Sequence, residues 1–316
     1  MSDRPVRIGV IGVGALGQHH ARIYNELSGA ELVGVFDSDS GRAREIASAH
    51  DCRAFERVDD LAAEIDAASV VVPTDLHFDV AEGLLKHGRH VLIEKPIART
   101  TREAEDLVAL SEKEGCILQV GHVERFNPVM GYLEEVARNP RFIEAHRLAS
   151  YPPPRPGLAP RGTEVSVVLD LMIHDLEIVL HLVRSPVKEF HAVGVSVLSP
   201  TADIANARLI FENGCVANVT ASRISPERMR KIRVFLSDAY MSLDYQEQAG
   251  KVYSASAEGI LMNEVPIEKG EPLASELESF ISCVATRDQP VVSGRHASDA
   301  LKLAVEITQF IAEAGG

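Results

Sequence analysis

Up to residue 121 the chain alternates short apolar runs with longer stretches whose apolar positions recur every three or four residues. The run from Val6 to Ile11 is of strand length and feeds a glycine-rich turn, and an amphipathic helix follows at once. Further strands are predicted at 31–36, 68–72, 90–93 and 116–120, the second of these stopping at Pro73. Helical periodicity is predicted over 41–50, 58–65, 77–87 and 101–115, the last ended by Gly115. Strands alternating with helices of this length imply a parallel, doubly wound sheet.

The pattern changes after Gly121. A helix at 127–137 leads to a strand at 141–148. Five prolines between Tyr151 and Gly162 forbid regular structure there, so this stretch reads as an exposed connection or a cover for a substrate. A long apolar helix is predicted over 165–182. Period-two alternation follows: Ala205, Ala207, Leu209 and Phe211 face one way, and Cys215, Ala217, Val219 and Ala221 return after Asn213-Gly214, a strong hairpin signal. Ile232, Val234 and Leu236 suggest another strand, and two helices, 273–285 and 296–314, end the pattern. The expected fold class is α/β: an N-terminal Rossmann sheet over 1–121, then an α+β domain with a mostly antiparallel open sheet over 122–316. The last helix is placed where it can pack back on the first domain.

The glycine turn carries the first chemistry. Gly12-x-Gly14-x-x-Gly17 follows a strand and opens a helix. Gly12 allows a tight turn, Gly14 removes a side chain that would block a pyrophosphate, and Gly17 lets helix and strand pack closely. The helix start at Ala15, Leu16 and Gly17 offers backbone N–H groups and a partial positive charge to phosphate. Asp37 ends the next strand, where a carboxylate accepts hydrogen bonds from ribose hydroxyls, and Ser38 follows it. That carboxylate repels a 2′-phosphate, and the nearest cation is Arg42, so NAD is expected rather than NADP.

Composition removes several alternatives. A net charge of −14 disfavours nucleic acid, whose affinity depends on cations. No apolar run is long enough for a bilayer, and the N-terminal residues lead straight into a strand with no targeting segment. Cys52, Cys116, Cys215 and Cys283 are far apart and read as reduced thiols of a cytoplasmic protein.

Ligands of open α/β sheets bind beyond the carboxyl ends of the strands. Three such ends carry polar groups: Pro73, Thr74 and His77; Glu94 and Lys95; and His122, Glu124, Arg125 and Asn127. Pro96 biases Lys95 toward an extended backbone, from which its ammonium can meet a hydroxyl or ketone oxygen as charge develops in hydride transfer; an ordinary Lys–Glu surface pair is the alternative. On the apolar helix, Asp170, His174, Glu177 and His181 share a stripe. Asp170 can orient His174, which is then a proton acceptor; a satisfied core histidine is the alternative. Too few ligands gather there for a metal, so none is expected. Arg125, Asn127 and Arg161 join Lys95, Asp170 and His174 as candidate substrate contacts. The basic segment Arg223, Arg228, Arg230, Lys231 and Arg233 could receive a diphosphate or carboxylate, but pairing with Glu227, Asp238 or Asp244 at a subunit interface is favoured.

Gly12-x-Gly14-x-x-Gly17, Asp37, Glu94-Lys95-Pro96 and Asp170-x-x-x-His174 stand in the order and spacing of the glucose–fructose oxidoreductase/inositol dehydrogenase/MocA family, which the whole chain resembles. The resemblance implies a Rossmann domain followed by a domain with an open antiparallel sheet that often forms an oligomer interface, here of a homodimer or homotetramer. It implies that Lys95 and His174 are the catalytic pair with Asp170 beside them, that Thr74, His77 and Glu94 line the cofactor, and that His122 lies beside the nicotinamide. A narrower likeness rests on residues 124–128, 168–175 and 221–225 with Arg228. These resemble bacterial dehydrogenases that oxidise the 3-hydroxyl of UDP-N-acetylglucosamine and pass the keto sugar to an aminotransferase for amino-sugar lipid A synthesis. Many sugar-oxidising relatives have Gly-Gly where this chain has Ser166-Val167, which changes the local pocket shape. Inositol, a free sugar or another polyol is the alternative substrate, and a non-catalytic dinucleotide sensor the competing class.

Overall fold

The computed structural model describes residues 4–154, 160, 162–257 and 259–314. In the first unit the apolar run Val6–Ile11 forms β1, and Ile8, Val10 and Ile11 are wholly buried. Beside it lie β2 (Ala30–Phe36), β3 (Arg53–Ala54), β4 (Ala67–Val70), β5 (His90–Glu94) and β6 (Leu118–Gly121). All pairings are parallel, in the order β3-β2-β1-β4-β5-β6. The order reverses between β1 and β4, where such sheets bind ligands. The connecting helices are α1 (Gly17–Glu26), α2 (Ser40–Ala49), α3 (Val58–Glu64), α4 (His77–Lys86) and α5 (Thr101–Glu114). Their ends follow local chemistry. Thr100 and Glu103 form a capping box at the start of α5, and Gly115 ends it at φ 64°.

This unit runs to Val123 and also takes in Glu271–Ser298. The contacts thus group the first unit as two stretches of chain, where a contiguous division at 121/122 is expected from the sequence. The returning residues include α8 (Pro272–Thr286), whose Leu277, Phe280 and Ile281 join Ile8, Val10 and Tyr24 in one core. The final helix, α9 (Gly294–Ala314), gives the first unit only its opening turn.

The second unit is Glu124–Gly270 with the residues from Asp299 onward. It contains α6 (Pro128–Val136), β7 (Phe142–Leu148), α7 (Ile173–Val183), β8 (Val187–Val195), β9 (Ile204–Phe211), β10 (Val216–Ser222), β11 (Met229–Phe235), β12 (Ala239–Asp244), β13 (Ala249–Ser256) and β14 (Gly259–Glu264). Its eight strands run β14-β13-β12-β11-β7-β10-β9-β8, antiparallel except for β7 beside β10. The Asn213-Gly214 hairpin forms as expected, with Gly214 at φ 83°. Alternate residues of β7, β9, β10 and β11 are buried, and α7 packs on β7 and β10. The helix expected from 165 starts later, with a π-helical turn, Val168–Met172, ahead of α7. Ser166 sets that start: its hydroxyl accepts the Val168 N–H at 3.2 Å.

The opposite face of this sheet is open and ordered in rows. Val216, Phe142, Phe235, Tyr240, Tyr253 and Met262 stand in register across six strands. Consecutive aromatic centroids from Phe142 to Tyr253 lie 5.6, 5.0 and 4.4 Å apart. The neighbouring row, Arg208, Asn218, Glu144, Arg233, Ser242 and Lys251, is polar and of mixed sign. Among the described residues no helix is long and apolar enough to cross a membrane.

Burial holds one titration far from its usual place. His90 accepts the Ile117 N–H at Nδ1, 2.8 Å, which requires an unprotonated nitrogen, and burial lowers its pKa to about 4. The unfolded chain binds this proton near pH 6.5, so stability falls as pH drops from about 6.5 toward 4. His90→Asn keeps an acceptor and removes the titration. Thermal melting across that range should show a shallower acid loss in the variant than in the wild type, and parallel curves would contradict the assignment.

Candidate active site

The glycines of the first turn serve different needs. Gly12 has φ +87°, and a Cβ there would lie 2.5 Å from the Val71 carbonyl oxygen. A Cβ on Gly17 would fall 1.8 Å from the Gly12 carbonyl oxygen. Both are demanded by the chain itself. Gly14 is not, because a Cβ there meets nothing within 4 Å, and its bare backbone leaves room for a ligand. Leu16 supplies no side-chain cap to α1, so the helix start is left for an anion. Asp37 accepts the Val13 N–H at 2.8 Å and the Asp39 N–H at 2.9 Å, and is only half-buried. Arg42 donates to the Val13 carbonyl, Gln18 and Glu45, so its guanidinium is held by the chain. These residues fit a dinucleotide: a bare loop, an open helix start and a carboxylate at the strand end.

At the end of β4, Pro73 is exposed and Thr74 opens a short 3-10 turn. His77 is buried, with Nδ1 2.8 Å from the Pro96 carbonyl oxygen and Nε2 2.9 Å from that of Val72. It braces the two strand ends against each other, and both ring nitrogens are occupied by backbone. Burial holds its pKa below the usual range against the opposing pull of the two carbonyls, and a neutral ring there would donate to one carbonyl at a time. Lys95 follows β5, and the Lys95–Pro96 peptide is cis.

The Glu94 carboxyl leans over β6. A Cβ on Gly121 would come within 2.9 Å of its carbon and both oxygens, so this glycine makes room for the acid. His20 Nε2 lies 3.3 Å from Glu94 Oε1. Behind them is a buried polar layer: Tyr24 and Ser69 share a hydrogen bond of 2.7 Å, and Gln119 donates to the Glu276 carbonyl at 3.1 Å. Glu276 is fully buried, and its carboxyl oxygens have no protein hydrogen-bond partner among the described residues. Burial, reinforced by the nearby Glu94, pushes its pKa well above the carboxylate range. His122, at the end of β6, is buried in the same unit. Sequence reasoning missed this layer, because Gln119 and Glu276 look like ordinary polar residues until α8 returns.

In the second unit the stripe on the apolar helix divides. Asp170, in the π-helical turn, and His174, one turn later, are half-buried. Such turns recur at functional sites. Glu177 is buried and accepts from Arg125 at 2.6 Å, while His181 Nε2 lies 2.9 Å from Glu134. Burial pushes the Glu177 carboxyl up to about 7 against the pull of Arg125. Arg125 also reaches Glu134 through Nη2 at 3.2 Å, while its buried Nε has no hydrogen-bond partner among the described residues. Asn127 caps α6 through the Val129 N–H and donates to the Tyr245 carbonyl at 3.0 Å. Arg147 forks onto Asp175 at 2.8 and 3.0 Å and reaches Glu124 at 2.9 Å. Arg161 lies outside the described residues. Four members of the basic segment pair within their unit, Arg223 with Asp203, Arg230 with Glu124, Lys231 with Asp244 and Arg233 with Glu144, and of the expected partners only Asp244 is among them. Among the described residues no group of three His, Cys, Asp or Glu could hold a metal. A cavity of about 440 Å³, lined by Val108, Cys116, Leu118, Arg287 and Arg295, lies at the other end of β6 and contains none of the expected site residues.

Residues 6–122 match the oxidoreductase family with an NAD-binding Rossmann fold, and residues 139–242 match the GFO/IDH/MocA C-terminal domain. The chain is 39% identical over 318 residues to UDP-N-acetylglucosamine 3-dehydrogenase of Acidithiobacillus ferrooxidans, covering 97% of this chain and 98% of that one. A solved structure of that dehydrogenase superposes with a TM-score of 0.91 at 37% identity, with 97% of each chain covered. The scyllo-inositol 2-dehydrogenase (NAD(+)) of Bacillus subtilis is 26% identical over 97% of this chain and 94% of its own. Levoglucosan dehydrogenase, solved with NADH and levoglucosan, shares the fold at a TM-score of 0.89 and 17% identity over 98% of each chain. Two consecutive domain matches and end-to-end identity agree with the geometry of the glycine turn: the chain belongs to the GFO/IDH/MocA family of oxidoreductases.

Proposed function

We propose that this protein is an NAD-dependent dehydrogenase that oxidises the 3-hydroxyl of UDP-N-acetylglucosamine to a ketone. The 39% identity to a UDP-N-acetylglucosamine 3-dehydrogenase, sustained over nearly all of both chains, carries the substrate. NAD rather than NADP follows from Asp37 at the end of β2 and from the commitment of Arg42 to Val13, Gln18 and Glu45.

Gly12, Gly14, Ala15, Leu16 and Gly17 would hold the pyrophosphate, and Asp37 with Ser38 the adenosine ribose. Pro73, Thr74, His77, Glu94 and His122 shape the remaining wall, His77 by bracing Val72 and Pro96. NAD, when bound, supplies the hydride acceptor. Lys95 donates a hydrogen bond to the substrate oxygen as charge develops on it. His174 takes the hydroxyl proton, and Asp170 orients its ring. A transfer of that proton to Lys95 instead would appear in the pH profiles of the two variants. Arg125 and Asn127 serve the substrate indirectly, by fixing the backbone after β6. The row-patterned open face of the second sheet supports a homo-oligomer, since a half-buried aromatic row beside mixed charges favours a covered state. The ketone product is a substrate for an aminotransferase of amino-sugar lipid A synthesis. Four free cysteines suit a cytoplasmic setting.

The direct test is NADH formation from UDP-N-acetylglucosamine, with and without a coupled aminotransferase and glutamate, against a panel of inositols and free sugars. Turnover that rises with coupling is expected; turnover confined to inositols would replace the substrate. Lys95→Ala should lower kcat by about 10²–10³-fold with NAD affinity retained, as titrated by cofactor fluorescence. The glycines should separate in binding and melting assays. Gly14→Val melts like the wild type but loses NAD binding. Gly17→Ala is destabilised by roughly 1–3 kcal/mol through overpacking.

A further inference from the structure

Arg223 follows β10 and is 2% exposed. Every donor of its guanidinium is engaged by the chain. Nε donates to Asp203 at 2.9 Å, Nη1 to the carbonyls of Gly162 and Val165 at 2.6 and 2.8 Å, and Nη2 to the hydroxyls of Ser199 and Thr201 at 2.8 and 2.9 Å. Asp203 is wholly buried and also accepts the Val197, Leu198 and Ser199 N–H groups at 2.8, 2.6 and 3.0 Å and the Ser199 hydroxyl. Burial alone would raise its carboxyl, but these bonds outweigh burial and hold it well below the carboxylate range. The pair therefore stays ionised and knots three segments: 162–165, 197–203 and the end of β10. With no donor to spare, Arg223 is not a receptor for a diphosphate.

The held carbonyl belongs to a residue pressed against the proposed site. Gly162 has φ +83°, and a Cβ there would lie 2.5 Å from Asp170 Oδ2 and 3.1 Å from its Cγ. The Gly162 backbone thus lies on the Asp170 carboxyl, one turn before His174. We propose that Arg223, backed by Asp203, is a positioning residue for the reaction: it holds the Gly162 backbone against Asp170 and so fixes the carboxylate that orients His174. The inference rests on the reading that Asp170 and His174 act on the substrate. Arginine is required because only a planar five-donor fork can serve two carbonyls, two hydroxyls and a carboxylate together.

The test is a double-mutant cycle between Arg223→Gln and Asp170→Asn, with kcat and both KM values measured on UDP-N-acetylglucosamine and NAD. Amide hydrogen exchange of 162–176 is followed in parallel. Arg223→Gln should lower kcat by about 10²-fold, as a displaced catalytic group does, and leave the KM for NAD unchanged. The double variant should lose no more than Asp170→Asn alone, because Arg223 acts through Asp170. Thr201→Val removes one acceptor at a partly exposed position and should give the same pattern in smaller measure if Arg223→Gln does not fold. Arg223→Lys should recover little. Additive losses in the cycle, or faster exchange with unchanged kcat, would overturn the proposal. A wild-type protein with no turnover on any sugar would instead overturn the dehydrogenase reading. Exchange in Thr201→Val would then decide whether Arg223 holds the segment, unchanged rates speaking against it.

Discussion

The end of β1 and the first turn of α1 approach so closely that no side chain fits between them. A methyl group on Gly17 would overlap the Gly12 carbonyl, and one on Gly12 would press on the Val71 carbonyl. Three backbone segments are thereby set at a spacing that a ligand can use: the turn, the helix start and the exit of β4. Asp37 and Arg42 then hold Val13 from both sides, by its N–H and its carbonyl. The same unit holds the brace of His77 across the ends of β4 and β5.

The second unit depends on buried ions instead. Arg125, Arg147 and Arg223 are each nearly inaccessible and each meets at least one carboxylate. Taking a guanidinium out of water is costly, and truncating one partner leaves an uncompensated charge, so such pairs fix geometry more surely than they add stability. Their placement fits that role. Arg147 joins β7 to α7 and to the segment before α6, Arg125 joins that segment to α7 and α6, and Arg223 joins the end of β10 to the residues before the π-helical turn. Each pins something that leads to Asp170 and His174.

Much of this was legible in the sequence. The alternation of the first 121 residues and the glycine spacing gave the Rossmann sheet, because buried parallel strands are apolar throughout and their turns need particular residues. The Asn213-Gly214 hairpin was equally plain, since its buried positions alternate. Strands β8, β12, β13 and β14 were not read. Strand β14 is exposed along its whole length and β8 on alternate residues, so edge position leaves little burial pattern to detect. The partners of Arg125 were not legible either. Glu134 and Glu177 sit on two different helices, and nothing local marks a surface-type residue that packing will bury. Glu276 is the extreme instance, an acid on an ordinary amphipathic helix that meets Gln119 only because the chain returns.

That return has a consequence in time. A ribosome releases the strands of the first unit long before it releases α8, whose Leu277, Phe280 and Ile281 complete the core around Ile8 and Val10. Throughout the synthesis of the second unit, one apolar side of β1 and α1 has no native cover. Newly made protein therefore carries that uncovered apolar surface until α8 emerges, and chaperones that shelter nascent apolar surface have their work there.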